Sequence, residues 1–171
     1  MTENLVITQA NLQDVPSLVK LLNSAYRGDA SKKGWTTEAD LLKGPSRTDA
    51  TMLEAAMREP DSVFLTCRDA NSILGCVYLQ KQKNRLYLGM FAVSPNMQAK
   101  GIGKQLLAAA DMHARDLHCK SIYMTVISIR KELIGWYERH GYKKTGETKP
   151  FPVDERFGIP QQKLELIVLE K

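Results

Sequence analysis

Nowhere in the 171 residues is there a block of like charge as long as five, or an apolar run of membrane-spanning length. The first absence argues against a charged nucleic-acid-binding tail, the second against a transmembrane segment. Cysteine is scarce. Cys67, Cys76 and Cys119 are odd in number and share no metal-type spacing, so they read as reduced core thiols and no metal is expected. Aromatic residues make up only 7%, and no basic stripe is interleaved with them, which argues against nucleic acid as a partner. The opening "MTENLVITQANLQDVPSL" lacks the basic-then-apolar order of a signal peptide, so a cytoplasmic protein is expected. What remains is ordinary: 43% hydrophobic and 25% charged residues, enough for one domain over residues 1–171. The net charge of +5 suits an anionic small molecule.

Periodicity gives a mixed α/β order, β-α-α-α-β-β-β-α-β-α-β-β. "NLVITQ" alternates as a strand, and Leu12, Val15, Leu18, Val19, Leu22 and Ala25 keep a helical period. "TTEADLLKG", opened by threonines and closed by Gly44, predicts a second short helix, and "TDATMLEAAMREP" a third. "SVFLTCR" and "SILGCVYLQKQ" form a hairpin around "DANS", and "RLYLGMFAVSP" a strand ending at Pro95. A long amphipathic helix follows from Gly101 to Leu117, then the β-branched strand "SIYMTVI" and the helix "KELIGWYERHG". "YKKTGETK" and "KLELIVLEK" close the chain as strands.

The stretch "SPNMQAKGIGKQLL" puts two glycines and two lysines at a helix start that follows an apolar strand. Free N–H groups and a partial positive charge there suit an anion such as a phosphate. The P-loop spelling fails, because Gln98 and Gln105 stand where glycine and Ser/Thr are required. The dinucleotide fingerprint fails at Leu106.

What fits is a strand ending V-x-P, then Gln98-x-x-Gly101-x-Gly103 opening a long helix. This resembles motif A of the GCN5-related N-acetyltransferase (GNAT) superfamily. "RKELIGWYERHGYKKTGE" is similar to its motif B, with Tyr137, Glu138, Gly141 and Tyr142 on the matching positions. The likeness is strongest from Leu86 to Glu147. It implies the GNAT fold: a mixed, mainly antiparallel twisted sheet of about six to seven strands flanked by helices. A wedge would open between the strand ending at Val93 and the strand Ser121–Ile127.

The resemblance also implies acetyl-CoA as co-substrate and an amine as acceptor, on a monomer or homodimer without membrane attachment. The pantetheine arm would pair with Phe91, Ala92 and Val93, and the pyrophosphate would sit on the amides of Gln98, Ala99, Lys100, Gly101, Ile102, Gly103 and Lys104. Tyr137 is the candidate general acid, since a phenol with a pKa of about 10 keeps its proton at neutral pH. Packing beside Trp136 and Tyr142 is its alternative reading, and His113 and His140 read as structural. Two positions depart from the family pattern. Arg130 replaces the usual Asn and could reach a phosphate, the substrate or only solvent. "RLYLGMFAV" carries no acid, which leaves a water chain, Glu38, Asp154 or Glu155 to take the amine's proton. Tyr26, Trp35 and Glu38 are the candidate substrate residues. Arg27 and Arg47 suit a carboxylate-bearing amine, whereas Glu38 and Asp40 suit a polyamine, and the sequence leaves both open. A non-catalytic CoA-binding regulatory module, a transferase using another acyl-CoA, and a nucleotide-binding module are the alternatives.

Overall fold

The computed structural model describes residues 5–27, 31–32, 34–44, 46–70, 72–98, 100–152, 154 and 158–171. Ala99 and Glu155, both candidates above, lie outside the described residues. Nine strands occur among these residues: β1 (Val6–Gln9), β2 (Leu42–Lys43), β3 (Ser62–Arg68), β4 (Ile73–Gln82), β5 (Arg85–Val93), β6 (Ser121–Ile127), β7 (Lys143–Pro150), β8 (Ile159–Pro160) and β9 (Glu165–Glu170). Among these residues are also the α-helices α1 (Val15–Tyr26), α2 (Ala50–Arg58), α3 (Ile102–Asp116) and α4 (Lys131–Arg139).

Seven strands form one sheet in the order β1-β3-β4-β5-β6-β9-β7, and β2 and β8 form a separate ribbon. Every pairing is antiparallel except β5 with β6, which is parallel. That pair is joined by α3, as a parallel connection requires. One apolar layer sets α1 and α2 against the sheet through Leu18, Leu22, Leu53 and Phe64. The other packs α3 and α4 on the sheet through Leu106, Ala110, Ile134 and Leu169. Among the described residues no helix is long and apolar enough to cross a membrane.

Two local expectations fail. α1 starts at Val15, because Asn11 and Asp14 form a capping box around a 3-10 turn at Leu12–Asp14, and Leu12 stays exposed. The helix expected from "TTEADLLKG" is absent. One turn forms, with Leu42 N donating to Glu38 O at 2.9 Å, and it goes no further. Tertiary partners win instead. Leu42 and Lys43 pair with Pro160 and Ile159, Leu42 buries against Ile127 and Leu164, and the Glu38 carboxylate turns inward to arginines. Glu38 and Leu42 therefore spend their groups on distant residues, which overrides a weak local propensity.

One buried group lacks a partner. Among the described residues the Tyr142 hydroxyl has no hydrogen bond, although the side chain is fully buried. An unmet buried hydroxyl costs about 1 kcal/mol or more, so Tyr142→Phe is expected to raise Tm by a few degrees. A lower Tm for that variant would mean the hydroxyl is bonded in solution.

Candidate active site

β5 and β6 pair only at Arg85–Ser121, Leu86–Ile122 and Tyr87–Tyr123, and then separate. The wedge expected from the sequence is there. Its cause lies on the other edge of β5. Opposite Val77 the β4–β5 register slips, and Met90 takes a left-handed φ of 45° that a side chain adopts only at a cost. The bulge bends β5 away from β6. Cys76, buried beside it, donates its Sγ–H to Met90 O at 3.3 Å. Burial pushes that thiol's pKa up to about 12, which fits a core thiol.

Beyond Tyr87, Phe91 and Val93 face the gap, since Ser94 N donates to Leu74 O on the opposite edge. Their carbonyls are already taken: the Tyr26 hydroxyl donates to Phe91 O, and Gln98 Nε2 donates to Val93 O at 3.0 Å. With the acceptors capped, the N–H donors remain on that edge for a ligand.

Two cavities meet here, sharing Tyr26, Phe91 and Leu133 as a common wall. The larger, about 680 Å³, runs along Ala92 and Val93 to Gly101, Gly103 and Lys104. α3 opens on it with Gly101 in a left-handed conformation (φ 85°), and no side chain caps that end. A Cβ on Gly101 would meet nothing within 4 Å, so the backbone is open to the cavity. Gly103 serves packing instead. Its missing Cβ makes room for Trp136 Cη2 and Phe91 Cζ, which would otherwise stand at 3.2 and 3.3 Å. Ile102 turns its side chain into the core, leaving only its amide to the helix start, and Lys100 is exposed outside the cavity lining. An uncapped helix start facing a long basic cleft fits the diphosphate and arm of acetyl-CoA.

Gln98 does more than its place in the motif implies. Its Nε2 also donates to Thr36 Oγ1 at 2.8 Å, and its Oε1 accepts from Trp35 N at 2.7 Å. One side chain thus ties the glycine turn to a loop more than sixty residues earlier. Sequence reasoning missed this. It also missed Lys131, Gly135 and Arg139, which line the larger cavity from α4. Their spacing of four residues is a legible one-face pattern, with glycine leaving room between two cations.

The smaller cavity, about 440 Å³, lies on the other side of the shared wall and carries Arg27, Glu38, Arg47, Arg130, Tyr137 and Asp154. Trp35, expected on the substrate side, lines the larger cavity and stands 6.2 Å from the Trp136 ring. Arg130 is turned away from the glycine turn. Its Nη2 donates to Thr36 O at 2.7 Å, and its Nη1 lies 3.9 Å from Glu38 Oε2. Glu38 Oε1 also takes Arg27 Nε at 3.2 Å and Arg47 Nε at 3.8 Å.

Tyr137 is buried on α4 between Phe91, Trp136 and Tyr142. Burial raises its pKa well above 10, and the neighbouring Tyr26 and Tyr142 add to the shift. Arg47 and Arg130 oppose it. The phenol therefore keeps its proton. His140 Nδ1 donates to Trp136 O at 2.8 Å, and the imidazole packs tilted against that indole, centroids 4.3 Å apart. His113 is half-buried, and burial lowers its pKa. Among the described residues no cluster of three or more His, Cys, Asp or Glu side chains could hold a metal.

Solved structures share this fold. The Ard1 structure from Thermoplasma volcanium superposes with a TM-score of 0.73 at 16% identity, covering 98% of this chain and 96% of that one. An N-acetyltransferase from Staphylococcus aureus Mu50 gives 0.72 at 15% identity, covering 99% and 98%. Spermine/spermidine N(1)-acetyltransferase of Bacillus subtilis (strain 168) is 35% identical over 72 residues, 41% of this chain and 47% of that protein. The chain thus spans about half the length of the curated relatives it matches. A family model described as acetyltransferase (GNAT) family matches residues 16–142. That match takes in the splayed strands, the uncapped turn at Gly101 and the buried Tyr137, and the chain belongs to the acetyltransferase (GNAT) family.

Proposed function

We propose that this chain is an acetyl-CoA-dependent N-acetyltransferase acting on a primary amine of a small molecule or peptide. One observation carries the reading: two cavities meet at the unpaired edge of β5, one ending on a bare helix start, the other holding a protonated phenol. Acetyl-CoA would supply the acyl group as a thioester. The amides at the start of α3, with Lys104, Lys131 and Arg139 close by, hold the diphosphate end. The N–H groups of Phe91 and Val93 point where a carbonyl oxygen would gain negative charge, and they are preorganised by the bulge. Tyr137 Oη holds the proton that the departing thiolate needs. Trp35, Trp136 and Phe91 wall the arm and keep water from it. Glu38, committed to three guanidiniums, holds the acceptor cavity together and is no general base.

The test combines binding and turnover. Acetyl-CoA should raise Tm, as a ligand of the native state must, while ATP and NAD should not. Free thiol should then appear when primary amines are added. Protection by ATP or NAD alone would end this reading, and protection by acetyl-CoA without thiol release over a broad amine panel would make the chain a CoA-binding module.

A further inference from the structure

Resting on that acyl-transfer reading, we propose that the acceptor is a small amine carrying a carboxylate, bound by Arg47 with Arg130 beside it, and not a polyamine. The charges on the acceptor cavity decide between the two classes. Its described lining carries three guanidiniums, Arg27, Arg47 and Arg130, against the carboxylates of Glu38 and Asp154. Glu38 is shared among all three arginines through both of its oxygens, so it has no free face for an ammonium. Asp40, the other acid that could have suited a polyamine, is exposed and does not line the cavity. A polyamine needs carboxylates spaced along its ammonium groups, and here it would meet cations instead.

A carboxylate meets the opposite situation. Arg27 and Arg130 are enclosed, with side chains 4% and 9% exposed, whereas Arg47 keeps 30%. Arg27 Nη1 donates to Ser46 O and Arg130 Nη2 to Thr36 O. Among the described residues Arg47 makes only the long 3.8 Å ion pair to Glu38, with no hydrogen bond from its guanidinium. Its Cζ stands over the Tyr26 ring, 4.2 Å from the centroid, a cation–π contact that holds the guanidinium in place. A planar fork with unspent donors is the geometry that takes a carboxylate in two parallel hydrogen bonds. Tyr26 belongs to the wall shared by the two cavities, so Arg47, held over that ring, stands next to the reacting end. The carboxylate therefore lies within a few bonds of the attacking amine. Met52, Leu88, Met124 and Phe151 give the rest of the cavity an apolar lining, enough for a short carbon skeleton.

Thiol release from acetyl-CoA can be measured with matched acceptors: glycine, β-alanine, γ-aminobutyrate and a set of α-amino acids, their neutral amides, and putrescine and spermidine. At least one carboxylate-bearing amine should exceed its amide about tenfold or more in kcat/KM and outrun both polyamines. Arg47→Gln should bring that ratio towards one by raising KM for the acid, and Arg47→Lys should restore part of it. Faster turnover of spermidine or putrescine would overturn the proposal, as would an acid-to-amide ratio that Arg47→Gln leaves intact. A second readout separates this idea from the acyl-transfer reading itself. With CoA present, the same acids should raise the Tm of the native chain and fail to do so for Arg47→Gln. If no amine releases thiol but that Tm pattern holds, catalysis is refuted and the carboxylate site stands. Polyamine protection, or protection by none of the acids, refutes the site.

Discussion

Tyr137→Phe should cut kcat about a hundredfold while leaving the Tm increase given by acetyl-CoA unchanged. The change removes one oxygen from a ring held by Phe91, Trp136 and Tyr142, so packing survives and the loss falls on proton transfer. A hundredfold corresponds to about 2.7 kcal/mol of barrier, a normal share for one positioned acid. The pH profile gives a second check. Burial raises this phenol's pKa above 10, so the protonated form persists across the working range and loss of the acid cannot lower the rate there. Wild-type kcat should accordingly rise as the acceptor amine loses its proton and show no decline below about pH 10. Full activity in Tyr137→Phe would remove the assignment, and a basic-limb decline near pH 8 or 9 would point to a different acid.

Local patterns carried most of the framework. The strand Ser121–Ile127 is legible in its run of β-branched residues, and the open helix start at Gly101 in two glycines at the head of an amphipathic helix. Tyr137 and Gly141 were placed by motif spacing and sit at the end of one helix, where both belong. What the sequence concealed is non-local. Nothing near Gln98 indicates that its amide bonds Trp35, Thr36 and Val93 at once, because that network exists only after the chain closes. The bulge at Met90 has one local sign, the isolated Gly89 inside the strand, and a lone glycine does not give the position or direction of the bend. Residues 36–44 have helical composition but are claimed by β8, by the core around Ile127 and by arginines. The arginine cluster is the sharpest case. Positions 27, 47 and 130 converge on Glu38 from α1's end, a loop and the start of α4. Arg130 thereby joins the wall of the smaller cavity.

That convergence makes Glu38→Gln the substitution with the largest expected effect on stability. Arg27 and Glu38 are both nearly enclosed, at 4% and 9% exposure, so the amide would take the Glu38 charge away from a buried guanidinium. Breaking one side of a buried pair costs about 3–5 kcal/mol, mainly the penalty of the charge left behind. For a domain of this size that loss lowers Tm by on the order of 10 °C. The origin of the loss can be tested directly. If the stranded charge is the cause, Arg27→Met in the Glu38→Gln background should recover much of the Tm, although Arg27→Met alone would also be harmful. A general-base role predicts the reverse: Glu38→Gln would keep its Tm and lose only turnover. The same variant also bears on acceptor choice, because it removes the negative charge that three arginines share. Affinity for carboxylate-bearing amines should hold or rise in the molecules that remain folded, whereas a polyamine site built on Glu38 would lose its ligand.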